Sequence, residues 1–239
     1  MPSNSRLIDH AEMLTPPMPW DRPRMTEHGE ETVVLLHGLW RGFHAMEPLA
    51  RTLAREGFST LNIPYPSMIL PIPVLAERIV KQIDSIAGKR KIHLITHSLG
   101  GILARTMLEL PHSWQLGRMV MLCPPNGGSE IVDWSRQHPL IRMLLGPAGR
   151  SLGSDGVPPK LPPLPKGTEA AVIMGNRCSI PFFKKLLDSE NDGIVSASRG
   201  RIDGLRGFSV IDADPPFIPM PPEPVRLRTQ FLKTGEWAV

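Results

Sequence analysis

Residues 91–110 constrain the fold most, because they run a strand into a tight turn and out into a helix with nothing to spare. Lys91-Ile-His-Leu-Ile-Thr96 is a short apolar run that reads as a buried strand. His97-Ser98-Leu99-Gly100-Gly101 follows at once. Ile102, Leu103, Thr106, Met107 and Leu110 then recur at helical spacing until Pro111 stops them. A strand feeding directly into a helix that must pack back on its sheet is half of a βαβ crossover, which demands a parallel neighbour strand.

The flanking sequence supplies those neighbours. Thr32–Leu36 reads as a buried strand, and Met46, Leu49, Ala50, Leu53 and Ala54 form a helical stripe ended by Gly57. Phe58–Ile63 is the next strand, stopped by Pro64 and Pro66. Leu75, Ile79, Ile83 and Ile86 line a second helix up to Gly88. Arg118–Leu122 and Ala170–Met174 are two further strands, and Phe208–Ile211 reads as a last one. This alternation predicts an α/β protein with a mostly parallel sheet and helices on both faces. With 239 residues of which 41% are hydrophobic, one sizeable core is expected. We expect a loosely structured lead-in over residues 1–30 and a single domain over 31–239. Residues 124–167 form a long insertion, with a helix expected at about Ser129–Leu145 and then a Gly/Pro-rich stretch, in the position of a lid. Over 223–233 two patterns compete. Val225, Leu227, Thr229 and Phe231 alternate with polar residues as a strand would, where the topology calls for a helix.

Composition narrows the function classes. The formal charge of +4 comes from 27 basic and 23 acidic residues spread along the chain, so no basic stripe suggests a nucleic-acid partner. No Gly-rich phosphate loop or dinucleotide fingerprint is present, and Cys123 and Cys178 lack metal-ligand spacing, so neither cofactor nor metal is expected. Reduced thiols are the default for that pair, with one bridge left open. No apolar run is long enough for a bilayer and no secretory leader pattern is seen, so a cytoplasmic protein is expected.

Thr96-His97-Ser98-Leu99-Gly100 stands in the place of the G-x-S-x-G nucleophile elbow, with Thr96 for the first glycine. The chemistry needs small neighbours because the chain turns sharply and holds the serine hydroxyl exposed in a strained conformation. His37-Gly38-Leu39-Trp40 directly follows an earlier strand. Such a loop supplies one oxyanion-hole N–H and the residue after the serine the other, which assigns Leu39 and Leu99. Four segments taken together resemble a family of small α/β-hydrolases of lipase and esterase type. They are Val33–Trp40, Thr96–Gly101, Pro124-Pro125-Asn126-Gly127-Gly128-Ser129-Glu130 and Asn191-Asp192-Gly193-Ile194-Val195-Ser196. The resemblance implies the α/β-hydrolase fold, Ser98 as nucleophile and Asp192 as the acid of a triad. The competing reading of Asp192 is a surface Asp-Gly turn.

The order of such a triad is serine, acid, histidine. The eight histidines are His10, His28, His37, His44, His93, His97, His112 and His138, and none follows Asp192. Counting back from the family-like ending Phe231-Leu232-Lys233-Thr234-Gly235-Glu236-Trp237, the histidine position falls on Pro215. Proline cannot take a proton, and removing a triad histidine costs about a millionfold in kcat. His44, just past the oxyanion loop, is the first candidate for a substitute base and His138 in the insertion the next. His97 is expected to turn away from the hydroxyl into the core, and His37 to serve the hydrogen bonding of its loop. Two functions stay open: a serine hydrolase acting on a carboxylic ester or lipid-like molecule, impaired at its base, and a pseudohydrolase that binds an apolar ligand or a protein partner.

Overall fold

The computed structural model describes residues 21–177, 186–187, 190–213 and 222–237, the side chains of 222–226 excepted. Seven strands form one sheet: β1 (Arg24–Thr26), β2 (Thr32–Leu36), β3 (Ser59–Ile63), β4 (Lys91–His97), β5 (Gln115–Leu122), β6 (Glu169–Gly175) and β7 (Gly207–Ile211). Their spatial order is β1-β3-β2-β4-β5-β6-β7, with β1 antiparallel to β3 and every other pairing parallel.

Alternate residues of each strand go to opposite faces, as the strand period of two requires. Val34 and Leu36 join Ile92 and Leu94 in a core cluster with α2 (Ile72–Ala87) and α3 (Leu99–Met107). Val33, Leu35 and Ile95 face the other way, toward α1 (Glu47–Arg55) and the Phe231 and Leu232 side chains of α7 (Pro222–Thr234). The sheet is thus buried on both sides, which is why its strands read as continuous apolar runs. Among the described residues no helix is long and apolar enough to cross a membrane.

Two expectations are corrected, and one question left open is decided. The lead-in is not loose throughout, since residues 24–26 form the antiparallel edge strand and Arg24 pairs with Glu47 at 2.8 Å. The single helix expected at about Ser129–Leu145 is two short ones, α4 (Glu130–Ser135) and α5 (Pro139–Leu144), and a third, α6 (Gly146–Arg150), follows them. Pro139 has no N–H to continue α4 and instead opens α5, and Gly146 takes a φ of 62° at the next corner. The segment at the C-terminus is the helix α7. Its alternation misleads because Arg228 is fully buried, so Leu227, Arg228, Phe231 and Leu232 make a helical inner face. Burial pushes the Arg228 guanidinium down to about 9.

Candidate active site

The carboxyl ends of β2, β4 and β5 deliver three loops to one cavity of about 380 Å³. Ligands of open parallel sheets sit at this edge. Ser98 lies between β4 and α3 with φ 50° and ψ −117°, in the left-handed region a side chain enters only under constraint. The constraint is visible on both sides: Ser98 N–H donates to Leu122 O at 2.8 Å, and Ser98 O accepts from Gly101 N–H at 2.9 Å. The turn also presses on its neighbours. A Cβ on Gly100 would fall 2.6 Å from Leu36 O, and one on Gly38 would fall 2.8 Å from His97 Nδ1 and 3.4 Å from Ser98 Cβ. Glycine at both places is therefore what lets the loop after β2 lie against the serine turn. Thr96 needs no such freedom, since it is still in β4 and fully buried.

Leu39 lines the cavity beside Ser98, and Leu99 is the first residue of α3, where a backbone N–H has no acceptor within its own helix. Ile131, Val132, Leu145 and Leu152 from the 124–167 insertion supply an apolar wall. The insertion is tied to the far side of the site, because Ser129 Oγ donates to Ile194 O at 2.8 Å. It also carries exposed apolar side chains, Leu140, Met143 and Leu144, and Trp40 Nε1 donates to Leu144 O at 2.8 Å. Below the site, Asn126 is clamped between Arg105 and Gly200 O, which fixes the chain as it leaves β5.

Asp192 lines the same cavity and is 2% exposed, which excludes the surface-turn reading. Its turn is shaped by its own carboxylate: Oδ1 accepts from Ile194 N–H at 2.9 Å and Val195 N–H at 2.8 Å, with Gly193 at φ 88°. Burial raises its pKa to about 6, against the lowering effect of those two N–H groups and of the Cys123 thiol, while the Glu130 charge raises it further. Cys123 is the residue the sequence reading passed over. It is a free, buried thiol at the carboxyl end of β5, held at φ 47°, lining the cavity with Ser98 and Asp192. Burial and the Asp192 carboxylate push the thiol well up. Its place at a parallel-strand end was the available signal.

The histidines divide sharply. Among the described residues only His97 lines the cavity, and it is 8% exposed with its ring over Gly38; it is buried, as expected, yet still reaches the cavity wall. His44 is not brought to the site: its Nε2 is 3.8 Å from Asp21 Oδ1 on the 3₁₀ turn before α1. His138 stacks on Trp134 at 3.8 Å, and its Nδ1 lies 3.2 Å from Trp134 O. His37 stacks on Tyr65 at 3.8 Å, accepts the Tyr65 hydroxyl at its carbonyl, and is held neutral by burial, with a pKa of about 4. Its Nδ1 is 2.9 Å from Gly38 O, so its ring serves the loop. Pro215 and Cys178 lie outside the described residues. Among the described residues no group of His, Cys, Asp and Glu could hold a metal ion.

The sequence profile of the alpha/beta hydrolase family matches residues 33–232. The chain belongs to that family. The seven-stranded sheet and the cavity at its carboxyl edge are the hydrolase fold. Similar solved structures include the mature lipase BlEst2 of Bacillus licheniformis, at 19% identity and TM-score 0.61, covering 80% of this chain and 90% of that one. An esterase from Exiguobacterium antarcticum aligns at 13% identity and TM-score 0.57, covering 89% and 92%. MenH from S. aureus aligns at 12% identity and TM-score 0.57, covering 88% and 97%. At these identities the likeness speaks for the fold. No curated protein matches the chain.

Proposed function

We propose that this hydrolase-fold protein is a serine hydrolase of esterase or lipase type acting on a carboxylic ester, with turnover held low by Pro215 at the position of the base. One observation carries the reading: Ser98 is held at φ 50° on an apolar cavity that Asp192 also lines. Backbone strain of this kind clusters at functional sites. Ser98 is the nucleophile in this reading, and Leu39 and Leu99 offer their N–H groups to the oxyanion. The apolar wall suits a hydrophobic acyl group, as do the lipase and esterase among the structural neighbours.

A second reading, a pseudohydrolase that binds an apolar ligand, is favoured by the histidine placement. His44 and His138 are engaged elsewhere, and His97 is the one imidazole of the described residues on the cavity wall. Fluorophosphonate labelling and nitrophenyl-ester turnover of the native protein, Ser98→Ala and Pro215→His separate the two. Native labelling and turnover that vanish in Ser98→Ala establish the hydrolase. A native protein that neither labels nor turns over establishes the binding protein, and activity gained only in Pro215→His locates the defect at the base.

A further inference from the structure

The 124–167 insertion carries a second hollow, of about 280 Å³, lined by Val132, Ser135, Arg136, Arg142 and Arg150. Val132 also lines the cavity at Ser98, so the two share a wall. Three arginines from three elements converge here: Arg136 caps the C-terminus of α4, Arg142 lies in the last turn of α5, and Arg150 ends α6. No carboxylate among the described residues lines the hollow.

The three differ in what holds them. Arg136 is fixed by Asp155, whose Oδ2 accepts from its Nη1 at 2.8 Å, and by Asp133 at 3.2 Å. Asp133 in turn accepts from Ser154 N–H at 3.0 Å, so both carboxylates are engaged. Arg142 and Arg150 are exposed and have no hydrogen bond or ion pair among the described residues. A cation at a helix C-terminus eases the carbonyls there, but that favours each arginine lying over its own helix end, not all three sharing one hollow. A concave surface lined by one sign of charge focuses its field on an ion of the other sign. The guanidinium fork matches phosphate oxygens bidentately. A carboxylate has two oxygens and one charge to divide between two free forks, whereas a phosphoryl group has three oxygens and up to two charges. We infer that this hollow is a binding site for a phosphoryl dianion, held by Arg142 and Arg150 with Arg136 as a fixed third wall. The site makes no use of Ser98, so it stands apart from the hydrolase reading.

The test is calorimetric titration of the full chain with inorganic phosphate at about pH 8 and low ionic strength, where the ion is mostly doubly charged and screening is weak. Phosphate is expected to bind at least about tenfold more tightly than acetate. A chain carrying both Arg142→Gln and Arg150→Gln should bind phosphate at least about tenfold more weakly. Arg78→Gln with Lys89→Gln removes the same two charges from α2 and the turn after it, and should change binding by less than about twofold. Dihexanoyl phosphatidic acid, kept below its micelle concentration, separates the two sources of such a group. Binding no tighter than that of phosphate assigns the free ion, and tighter binding that is lost with Arg142 and Arg150 assigns a lipid headgroup. Phosphate bound no more tightly than acetate by the native chain overturns the inference, and needs no variant that folds. An equal loss in the two double variants overturns it as well, since it would reflect net charge alone.

Discussion

The buried carboxyl of Asp192 makes a sharp thermodynamic prediction. Its folded pKa of about 6 stands above the ordinary aspartate value of 3.8 that holds in the unfolded chain, so the native state binds more protons between those values. Stability from this group is fully present below about pH 3.8 and is lost as pH rises through about 6. Since each tenfold change in proton affinity is worth about 1.36 kcal/mol, the full weight of that rise is about 3 kcal/mol. At 2% exposure, solvent screening takes little from that figure. Asp192→Asn has no proton to exchange and keeps the two backbone hydrogen bonds at Oδ1, so it escapes the loss. Urea denaturation followed by tryptophan fluorescence, run on both proteins, should show the variant gaining on the native chain by about 2 kcal/mol between about pH 4.5 and about pH 8, roughly a 1 M shift in midpoint. Glu130 and Cys123 act on residue 192 from their own elements and are common to both proteins. A flat difference would refute the reasoning. A difference of opposite sign would refute it as well, by showing the carboxyl held below its ordinary range.

Three further outcomes follow from the same geometry. Gly100→Ala sets a methyl 2.6 Å from the backbone carbonyl of Leu36, which cannot swing aside as a side chain could, and should cost about 1–3 kcal/mol in chemical denaturation together with any labelling of Ser98. Ser98→Gly removes the side chain from a φ of 50° and should raise stability by about 1 kcal/mol or more, which Ser98→Ala, still strained, should not. Cys123, buried and with its thiol pushed well up, should react with a thiol-specific disulfide reagent at about pH 8 more slowly in the folded chain than in urea by at least about tenfold; equal rates would remove it from the protected cavity.

What the sequence disclosed and what it hid have separate physical causes. Six of the seven strands were readable because parallel strands covered by helices are mostly apolar, interrupted here by a few buried polar residues such as Asn62 and His93. The serine turn was readable because close approach leaves only glycine at position 100, against the backbone of Leu36 and His37, and at position 38, against the His97 and Ser98 side chains. The edge strand at 24–26 escaped because Arg-Met-Thr is too short and too polar to carry a period, and its formation depends on the free edge of β3. The helix at 222–234 was masked by Arg228, which a sequence reader places in solvent and the fold places in the core. Breaks at Pro139 and Gly146 were written in the chain, but the apolar run across them outweighed them in a periodicity argument.

The site shows the same division at finer scale. Ser98 and Asp192 could be named from their motifs, since each motif encodes its own local turn. Cys123 follows directly on the strand read at 118–122, so its position at the carboxyl edge was legible, whereas its meeting with the turn at 191–196 was not, since no local pattern encodes that distance. The substitute base fails for the same reason. His44 is near Leu39 in sequence, yet the 3₁₀ turn that carries it faces Asp21, and three-dimensional reach, rather than separation along the chain, decides which imidazole can serve a hydroxyl. Under the proposed function, local sequence builds the strained serine and the buried carboxylate, whereas a base to replace the one missing at Pro215 in that reading would have to come from tertiary placement.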